Sequence, residues 1–314
     1  KAINQLNTGE ILLVAGKGHE AYQEVGLRKI IFSDKKNILK AIKIKNLSLS
    51  ANLKINIIKE LSGEDKLFSK TNLKKAQINS KEIKKNDIFF AIRGKKNDGN
   101  KFISEAFKNK ASLAIVNKIN RDNNIQKQIR VKDSLKLLTQ SSEIYRKNIS
   151  GKIIAITGSC GKTTLKELLG NSLKKISKVS IAPKSYNNKY GVPLSLFNIE
   201  QKDDYGVLEI GMDKKGEIDY LSKIVQPDVS VITNINYAHA KNFKNIKQIA
   251  LAKSEIVNNT KDNGYVVLNA DDNFFTLHKS IAIRKGLKIL SFSIKNKNSN
   301  IKLISIKKVG IKFK

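Results

Sequence analysis

From Ile153 to Thr164 the chain reads I-I-A-I-T-G-S-C-G-K-T-T, a β-branched run that breaks at Gly158 and resumes as Lys162-Thr163-Thr164. Leu165, Leu168, Leu169 and Leu173 follow at helical spacing, so the order is strand, loop, helix. A loop of this type, here Gly158, Ser159, Cys160 and Gly161, turns its N–H groups inward around phosphate oxygens. The N-terminus of the helix, which includes Thr164, adds partial positive charge. Lys162 is then placed to reach the terminal phosphates, and the Thr163 hydroxyl to sit on Mg²⁺. The spacing is shorter than G-x-x-x-x-G-K-[ST], because Ile156 stands where the first glycine belongs. The alternative is a glycine-rich turn with a surface lysine. Cys160 reads as a small residue in a tight loop rather than a reactive thiolate.

Other chemistry-bearing residues lie downstream. Tyr205-Gly-Val-Leu-Glu-Ile-Gly211 reads as a buried strand interrupted by Glu209. A buried carboxylate requires a partner, and either Mg²⁺ near phosphates or a paired lysine supplies one. The run from Val229 to Ile235 is another interior strand, and His239 just beyond it lies at the edge where open α/β sheets bind ligands. Asn187 and Asn188 precede Gly191 and Pro193 in a loop with a rigid exit. Periodicity places Lys253 on a solvated helix face. Asn269 and Asp271 end a strand that starts at Tyr265, Ser80 and Asp98 sit in turns, and His278 reads as structural.

Composition bounds the rest. The 314 residues suffice for two or three domains. Net charge is +33 with pI near 10.0, yet only six of the 60 basic residues are arginine, and the lysines are scattered rather than striped. That is a drift toward Lys, Ile and Asn, and it argues against a nucleic-acid surface. No run approaches the ~20 apolar residues that cross a bilayer. A single cysteine excludes an internal disulfide and fits a reducing cytoplasm. The chain starts at Lys1 and its only methionine is Met212, which is expected of a trimmed chain or a piece of a longer reading frame.

These residues must be held by an ordered set of elements. Ile11 to Ala15 reads as a strand, Lys35 to Ile44 as a helix, and residues 46–61 as a linker or the first strand of a new domain. Residues 62–146 alternate short strands and helices, with strands at Ile88 to Ile92 and Ala114 to Val116 and helices at Phe102 to Lys108 and Ser134 to Tyr145. Residues 147–314 alternate strand and helix through Ser293. The expected fold class is α/β: a central domain with a mostly parallel sheet covered by helices and a phosphate loop at its carboxyl edge, preceded by a smaller mixed α/β domain.

The shortened loop T-G-S-C-G-K-T-T resembles the ATP loop of the Mur ligases, cytoplasmic enzymes that extend the peptidoglycan stem peptide. With it, in family order, come N-N-x-x-G-x-P at Asn187 to Pro193, E-I-G at Glu209 to Gly211, A-H before Ala240, and A-K-S-E-I at Ala252 to Ile256. The resemblance is to the MurF-type branch and covers residues 62–314. It implies ATP-dependent joining of D-alanyl-D-alanine to UDP-N-acetylmuramoyl-tripeptide by a chain expected to be monomeric. It also implies Mg²⁺ held by Thr163, Glu209 and His239, with Lys162, His239 and an optionally carbamylated Lys253 in the reaction. Asn269 would meet adenine, Asp271 the ribose, Ser80 and Asp98 the uridine end, and Asn187 and Asn188 the muramoyl-peptide cleft. Asn79-Ser80-Lys81 departs from the usual Asp-Ser-Arg, and Asn100 stands in place of the usual histidine.

Residues 1–45, with V-A-G-K-G-H-E-A-Y-Q, resemble the end of a MurE-type ligase, which implies that Gly16 and Glu20 derive from a diamino-acid site; His19 reads as a loop histidine. The expected organisation is therefore a MurE-like remnant at 1–45, a linker at 46–61, a UDP-substrate domain at 62–146 and an ATP domain at 147–314 without its C-terminal domain. On that organisation ATP binding is expected without ligation by the chain alone. The competing readings are a sister ligase of MurE or folylpolyglutamate synthase type, a basic nucleic-acid-binding NTPase, and a non-enzymatic remnant.

Overall fold

The computed structural model describes residues 2–5, 11–14, 22–25, 28–31, 33–48, 53–64, 73–94, 97–237, 242–295, 298–305, 308–309 and 312–313. The chain divides into two compact units, Lys1–Asp65 and Lys66–Lys314.

In the first unit, α1 (Ala2–Gln5) precedes an antiparallel pair, β1 (Tyr22–Val25) and β2 (Arg28–Ile31), with Tyr22 opposite Ile31. Helix α2 (Asp34–Ser48) starts at Ser33, whose carbonyl accepts the Asn37 N–H at 3.0 Å. Two expectations are corrected. Ile11 to Val14 carry no strand and are exposed. Much of the segment expected as a linker is helical, in the end of α2 and in α3 (Leu53–Ser62). Helix α3 buries Leu53, Ile55, Ile57 and Ile58; β-branched isoleucines suggest a strand locally, and packing overrides that preference. Gly16, His19 and Glu20 lie outside the described residues.

The second unit carries two parallel sheets. The smaller has the order β3 (Ala76–Gln77), β4 (Ile88–Phe90), β5 (Leu113–Val116), β6 (Gln128–Arg130). Its near-continuous apolar runs are what a sheet buried on both faces requires. Helix α4 (Ile103–Lys108) inserts Ile103 and Ala106 against Phe89, Ala91, Ala114 and Val116. Helix α5 (Ser134–Arg146) follows, its first amides capped by Asp133, which accepts from Leu135 N and Lys136 N at 2.9 Å each.

The larger sheet is built from β7 (Lys152–Thr157), β8 (Val179–Ile181), β9 (Tyr205–Glu209), β10 (Val229–Ile232), β11 (Tyr265–Asn269), β12 (Lys288–Ser293) and β13 (Ile301–Lys302). Helices α6 (Lys162–Leu173), α7 (Gly191–Phe197), α8 (Glu217–Val225), α9 (Ile246–Asn258) and α10 (Phe275–Arg284) connect them. All seven strands are parallel in the order β13-β12-β11-β10-β7-β9-β8. The chain runs from β7 to one side through β8 and β9 and then crosses to β10 on the other, so the switch point lies between β7 and β10. Strand β10 is shorter than expected and ends at Ile232. Strand β13 covers Ile301–Lys302 and residues 303–305 carry no strand, where a run from Ile301 to Ile306 is expected, Ile306 itself lying outside the described residues; a short antiparallel pair, β14 (Lys308–Val309) and β15 (Lys312–Phe313), follows.

The two sheets are tied directly. The Asn198 amide, just beyond α7, accepts from Ala76 N at 2.7 Å and donates to Ala76 O at 2.8 Å, pairing with β3 as a neighbouring strand would. Phe197 meets Phe90 and Tyr145 edge-on, and the Tyr145 hydroxyl donates to Ile199 O at 2.8 Å. The base of the larger sheet is clamped by Arg146. This guanidinium is 2% exposed and reaches Asp228 at 2.8 Å and Val225 O at 2.7 Å, while Asp228 also accepts from Ile153 N at 2.8 Å. Burial alone would raise the Asp228 carboxyl; the Ile153 N–H, Lys261 and Arg146 outweigh it and hold the group below its ordinary value. Removing one partner strands the other charge, so Arg146→Met should destabilise the protein by about 3–5 kcal/mol. Urea unfolding measures this, and a loss under about 1 kcal/mol would show the clamp to be dispensable.

Candidate active site

The loop between β7 and α6 crosses the switch point. Gly158 has φ 145°, a conformation L side chains rarely adopt, and a Cβ there would lie 1.9 Å from Thr233 Oγ1. Glycine is required at this position by both backbone and space. Gly161, at φ 78°, reverses the chain into α6, and the first backbone-paired amide of the helix is Leu165 N, on Gly161 O at 2.9 Å. The helix therefore opens with Lys162, Thr163 and Thr164 among its unpaired N-terminal donors.

The outer side of the loop is held by the segment after β10. Ser159 N donates to Asn234 O at 2.9 Å, Cys160 N to Asn234 Oδ1 at 3.1 Å, and Thr233 Oγ1 to Cys160 O at 2.7 Å. Asn236 N donates to Ser159 Oγ at 2.8 Å. Asp272 secures this segment in turn by accepting from Ile235 N at 2.7 Å. None of Thr233, Asn234, Asn236 or Asp272 was singled out by sequence. The available signal was the polar cluster that ends an apolar strand one crossover from the loop.

Three charged groups define the inside. Lys162 Nζ folds onto the loop, donating to Gly158 O at 2.9 Å and Ser159 O at 3.2 Å. Glu209, at the end of β9 and 2% exposed, accepts from Thr163 Oγ1 and from Asn187 Nδ2, each at 2.7 Å. Its partners are thus a hydroxyl and an amide rather than a lysine. Asn187 is seated against Gly211, whose N–H donates to Asn187 O at 2.7 Å. Lys253 corrects the expectation of a solvated face: it is 1% exposed. Burial, then the nearby positive charge of Lys162, lowers its ammonium from 10.5 to about 7.

The depressed Lys253 value has a sign in stability. Between about 7 and 10.5 the unfolded chain binds more protons than the folded one, so the buried ammonium costs stability below pH 7 and that cost disappears as pH rises through this window. Lys253→Met should therefore stabilise the protein at pH 6 by on the order of 4 kcal/mol, a gain that shrinks toward zero by about pH 10. Denaturant midpoints across pH check this; a pH-independent difference would refute the shifted amine.

The remaining expected residues separate. Asn188 Oδ1 caps α7, accepting from Tyr190 N at 3.0 Å and Gly191 N at 3.1 Å. Asn269 stands beside the loop's support, donating to Thr233 O at 3.4 Å and accepting from Asp271 N at 3.0 Å. The Asp271 carboxylate takes Ser293 Oγ at 2.7 Å and Ile294 N at 2.6 Å. In the smaller sheet's domain, Ser80 donates its hydroxyl to Glu105, and Asp98 caps a turn by accepting from the Asn100 side chain at 2.6 Å and from Asn100 N at 3.0 Å, bonds that in that order hold its carboxyl below its ordinary value. His278 is buried with Nε2 3.1 Å from Ala250 O, in agreement with a structural role. His239 lies outside the described residues. Among the described residues no three His, Cys, Asp or Glu side chains converge as a metal cluster, and no helix is long and apolar enough to cross a membrane.

The donor set fits a nucleotide with a hard cation: helix-start amides and an ammonium for phosphate, and a hydroxyl beside a buried carboxylate for a metal that prefers oxygen. A glycine loop leading into a helix at the switch point of a parallel sheet defines the P-loop class of α/β proteins. A model of the Mur ligase middle domain matches residues 156–314, and the chain belongs to the Mur ligase family. Over 235 residues it is 38% identical to the UDP-N-acetylmuramoyl-tripeptide--D-alanyl-D-alanine ligase of Buchnera aphidicola, covering 72% of this chain and 50% of that protein. The crystal structure of MurF from Acinetobacter baumannii superposes with a TM-score of 0.68 at 31% identity, over 80% of this chain and 55% of the other. MurF ligase from Thermotoga maritima in complex with ADP gives 0.65 at 31% identity, over 78% and 56%. The chain spans about half the length of the curated relatives it matches.

Proposed function

We propose that this chain carries the ATP and UDP-substrate portions of a MurF-type ligase that joins D-alanyl-D-alanine to UDP-N-acetylmuramoyl-tripeptide in the cytoplasm. The observation that carries the reading is the corner where Thr163 and Asn187 converge on buried Glu209 beside the phosphate loop. In the reaction, a carboxylate oxygen of the tripeptide bonds to the γ-phosphorus of ATP as ADP leaves. The dipeptide amine then bonds to the acyl carbon, losing a proton as phosphate departs.

The chain's groups position and neutralise charge. Lys162 exchanges its loop carbonyls for phosphate oxygens, and the amides at the start of α6 supply further donors. Thr163 and Glu209, with His239 as a further ligand, are the residues that would hold Mg²⁺, which when bound neutralises phosphate charge. Asn187 orients Glu209. Asn269 and Asp271 are assigned to the adenosine side, and Ser80 and Asp98 to the uridine end. Lys253 is suited to carbamylation: an amine near pKa 7 is substantially neutral at cellular pH, and its nitrogen bonds to the carbon of CO₂ with loss of a proton. The resulting anion would relieve the repulsion from Lys162.

Calorimetric titration tests the reading. ATP with Mg²⁺ and UDP-N-acetylmuramoyl-tripeptide should each bind, and DNA should not. Steeply salt-dependent DNA binding with no response to the muramoyl peptide would replace this reading with a nucleic-acid NTPase. Labelled bicarbonate should yield a carbamate carbon signal that is absent from Lys253→Met.

A further inference from the structure

Another buried lysine lies in α6, away from the phosphate loop's own donors. Lys166 has a side chain with 0% exposure. It shares a helix face with Gly170, where an added Cβ would meet Ile181 Cδ1 at 2.4 Å, so this face is pressed against the end of β8. There the Lys166 ammonium donates to the Lys184 carbonyl and stands 3.2 Å from Glu167 Oε1.

Lys184 is where the chain reverses. Its φ is 49°, in the left-handed region, and Tyr186 N then folds back on Pro183 O at 3.3 Å and Asn187 N on Ser185 O at 2.8 Å. The product of this turn is the placement of Asn187, with its carbonyl accepting from Gly211 N at 2.7 Å and its amide donating to Glu209 at 2.7 Å. A residue in the left-handed region is held there only by its surroundings. Lys166 supplies such a hold on the peptide group that leaves Lys184.

We propose that Lys166 is a positioning residue: through the Lys184 carbonyl it fixes the turn that aims Asn187 at Glu209. The helix that opens with Lys162 and Thr163 thereby also orients the carboxylate facing Thr163. An apolar residue would fill the same space, but only a long cationic donor reaches the carbonyl from α6. The Lys184 side chain makes a separate link, to Glu82 at 2.6 Å, between partly exposed groups, and it is not part of this hold.

Two measurements test this, and the second rests on the reading of Thr163 and Glu209 as the Mg²⁺ corner. The first is amide hydrogen exchange in nucleotide-free protein. Lys166→Met, which keeps the apolar stem, should speed exchange of the Gly211 amide by about tenfold without a matching increase across β7 and β10. Lys166→Arg should restore protection, and Lys184→Ala, which removes only the exposed link, should leave it unchanged. The second is Mg²⁺ titration of binding of a non-hydrolysable ATP analogue. Lys166→Met should raise the half-saturating Mg²⁺ concentration about tenfold, with metal-free affinity within about twofold. Asn187→Ala should do the same, and the double variant should add less than about twofold. Unchanged Gly211 exchange in Lys166→Met, a uniform rise over the whole sheet, or additive effects in the double variant would overturn the proposal. A wild-type protein that binds no nucleotide would instead overturn the proposed function, and Gly211 exchange would still decide the role of Lys166.

Discussion

Lys162→Ala should abolish measurable ATP binding while leaving the unfolding midpoint nearly unchanged. Its ammonium donates to the carbonyls of Gly158 and Ser159, and the loop stays tied to Thr233 and Asn234 through Cys160, so the fold does not depend on it. What disappears is the ammonium that folds onto the loop at Gly158 and Ser159. A charge-assisted contact to phosphate in such a site is worth about 3 kcal/mol, or roughly two orders of magnitude in affinity. The variant has a second signature. Lys162 is one of the two causes that depress Lys253, so its removal should raise the Lys253 pKa above about 7. Wild-type nucleotide affinity in a folded Lys162→Ala protein would sink the assignment of the loop.

Glu209→Gln should lower Mg²⁺-dependent turnover by about 10²–10³-fold. The volume barely changes, but the negative charge goes. One of the two donors that converge here, Thr163 Oγ1 or Asn187 Nδ2, must then face an NH₂ group rather than an oxygen. Nucleotide binding without metal should change only a few-fold, because the amides of α6 and Lys162 are untouched. Equal turnover at every Mg²⁺ concentration would make Glu209 a structural carboxylate.

Local pattern revealed the elements that position this site better than it revealed the side chains inside them. The step from Ile153–Ile156 to Gly158 and on to Leu165 is a strand, loop and helix because apolar period and glycine placement are local properties, and β7 and α6 follow them. Glu209 was legible because a carboxylate inside V-L-E-I demands a partner wherever the chain folds. Lys166 and Lys253 were not. Each sits at a helical position where lysine ordinarily snorkels, and its surroundings come from outside its own helix: the end of β8 presses on the face Lys166 shares with Gly170, and the Lys253 ammonium feels the charge of Lys162. The gripping residues Thr233 and Asn234 were hidden for the same reason, since their partners are over 70 residues away. Asn188 shows the opposite limit: next to Asn187 in the same motif, it turns its oxygen to the start of α7, and only the backbone path separates the two roles. In the first unit, Ile11 to Val14 had the composition of a strand and formed none.

Under the proposed function, ATP bound at this loop activates the tripeptide carboxylate. The direct measurement combines the purified chain, ATP, Mg²⁺, UDP-N-acetylmuramoyl-tripeptide and hydroxylamine, and analyses the muramoyl peptide by mass spectrometry. An acyl phosphate is captured by hydroxylamine as a hydroxamate, so the prediction is tripeptide-dependent ADP release matched by muramoyl-tripeptide hydroxamate, both absent from Lys162→Ala. ADP release that is indifferent to the tripeptide, with no hydroxamate formed, would contradict it.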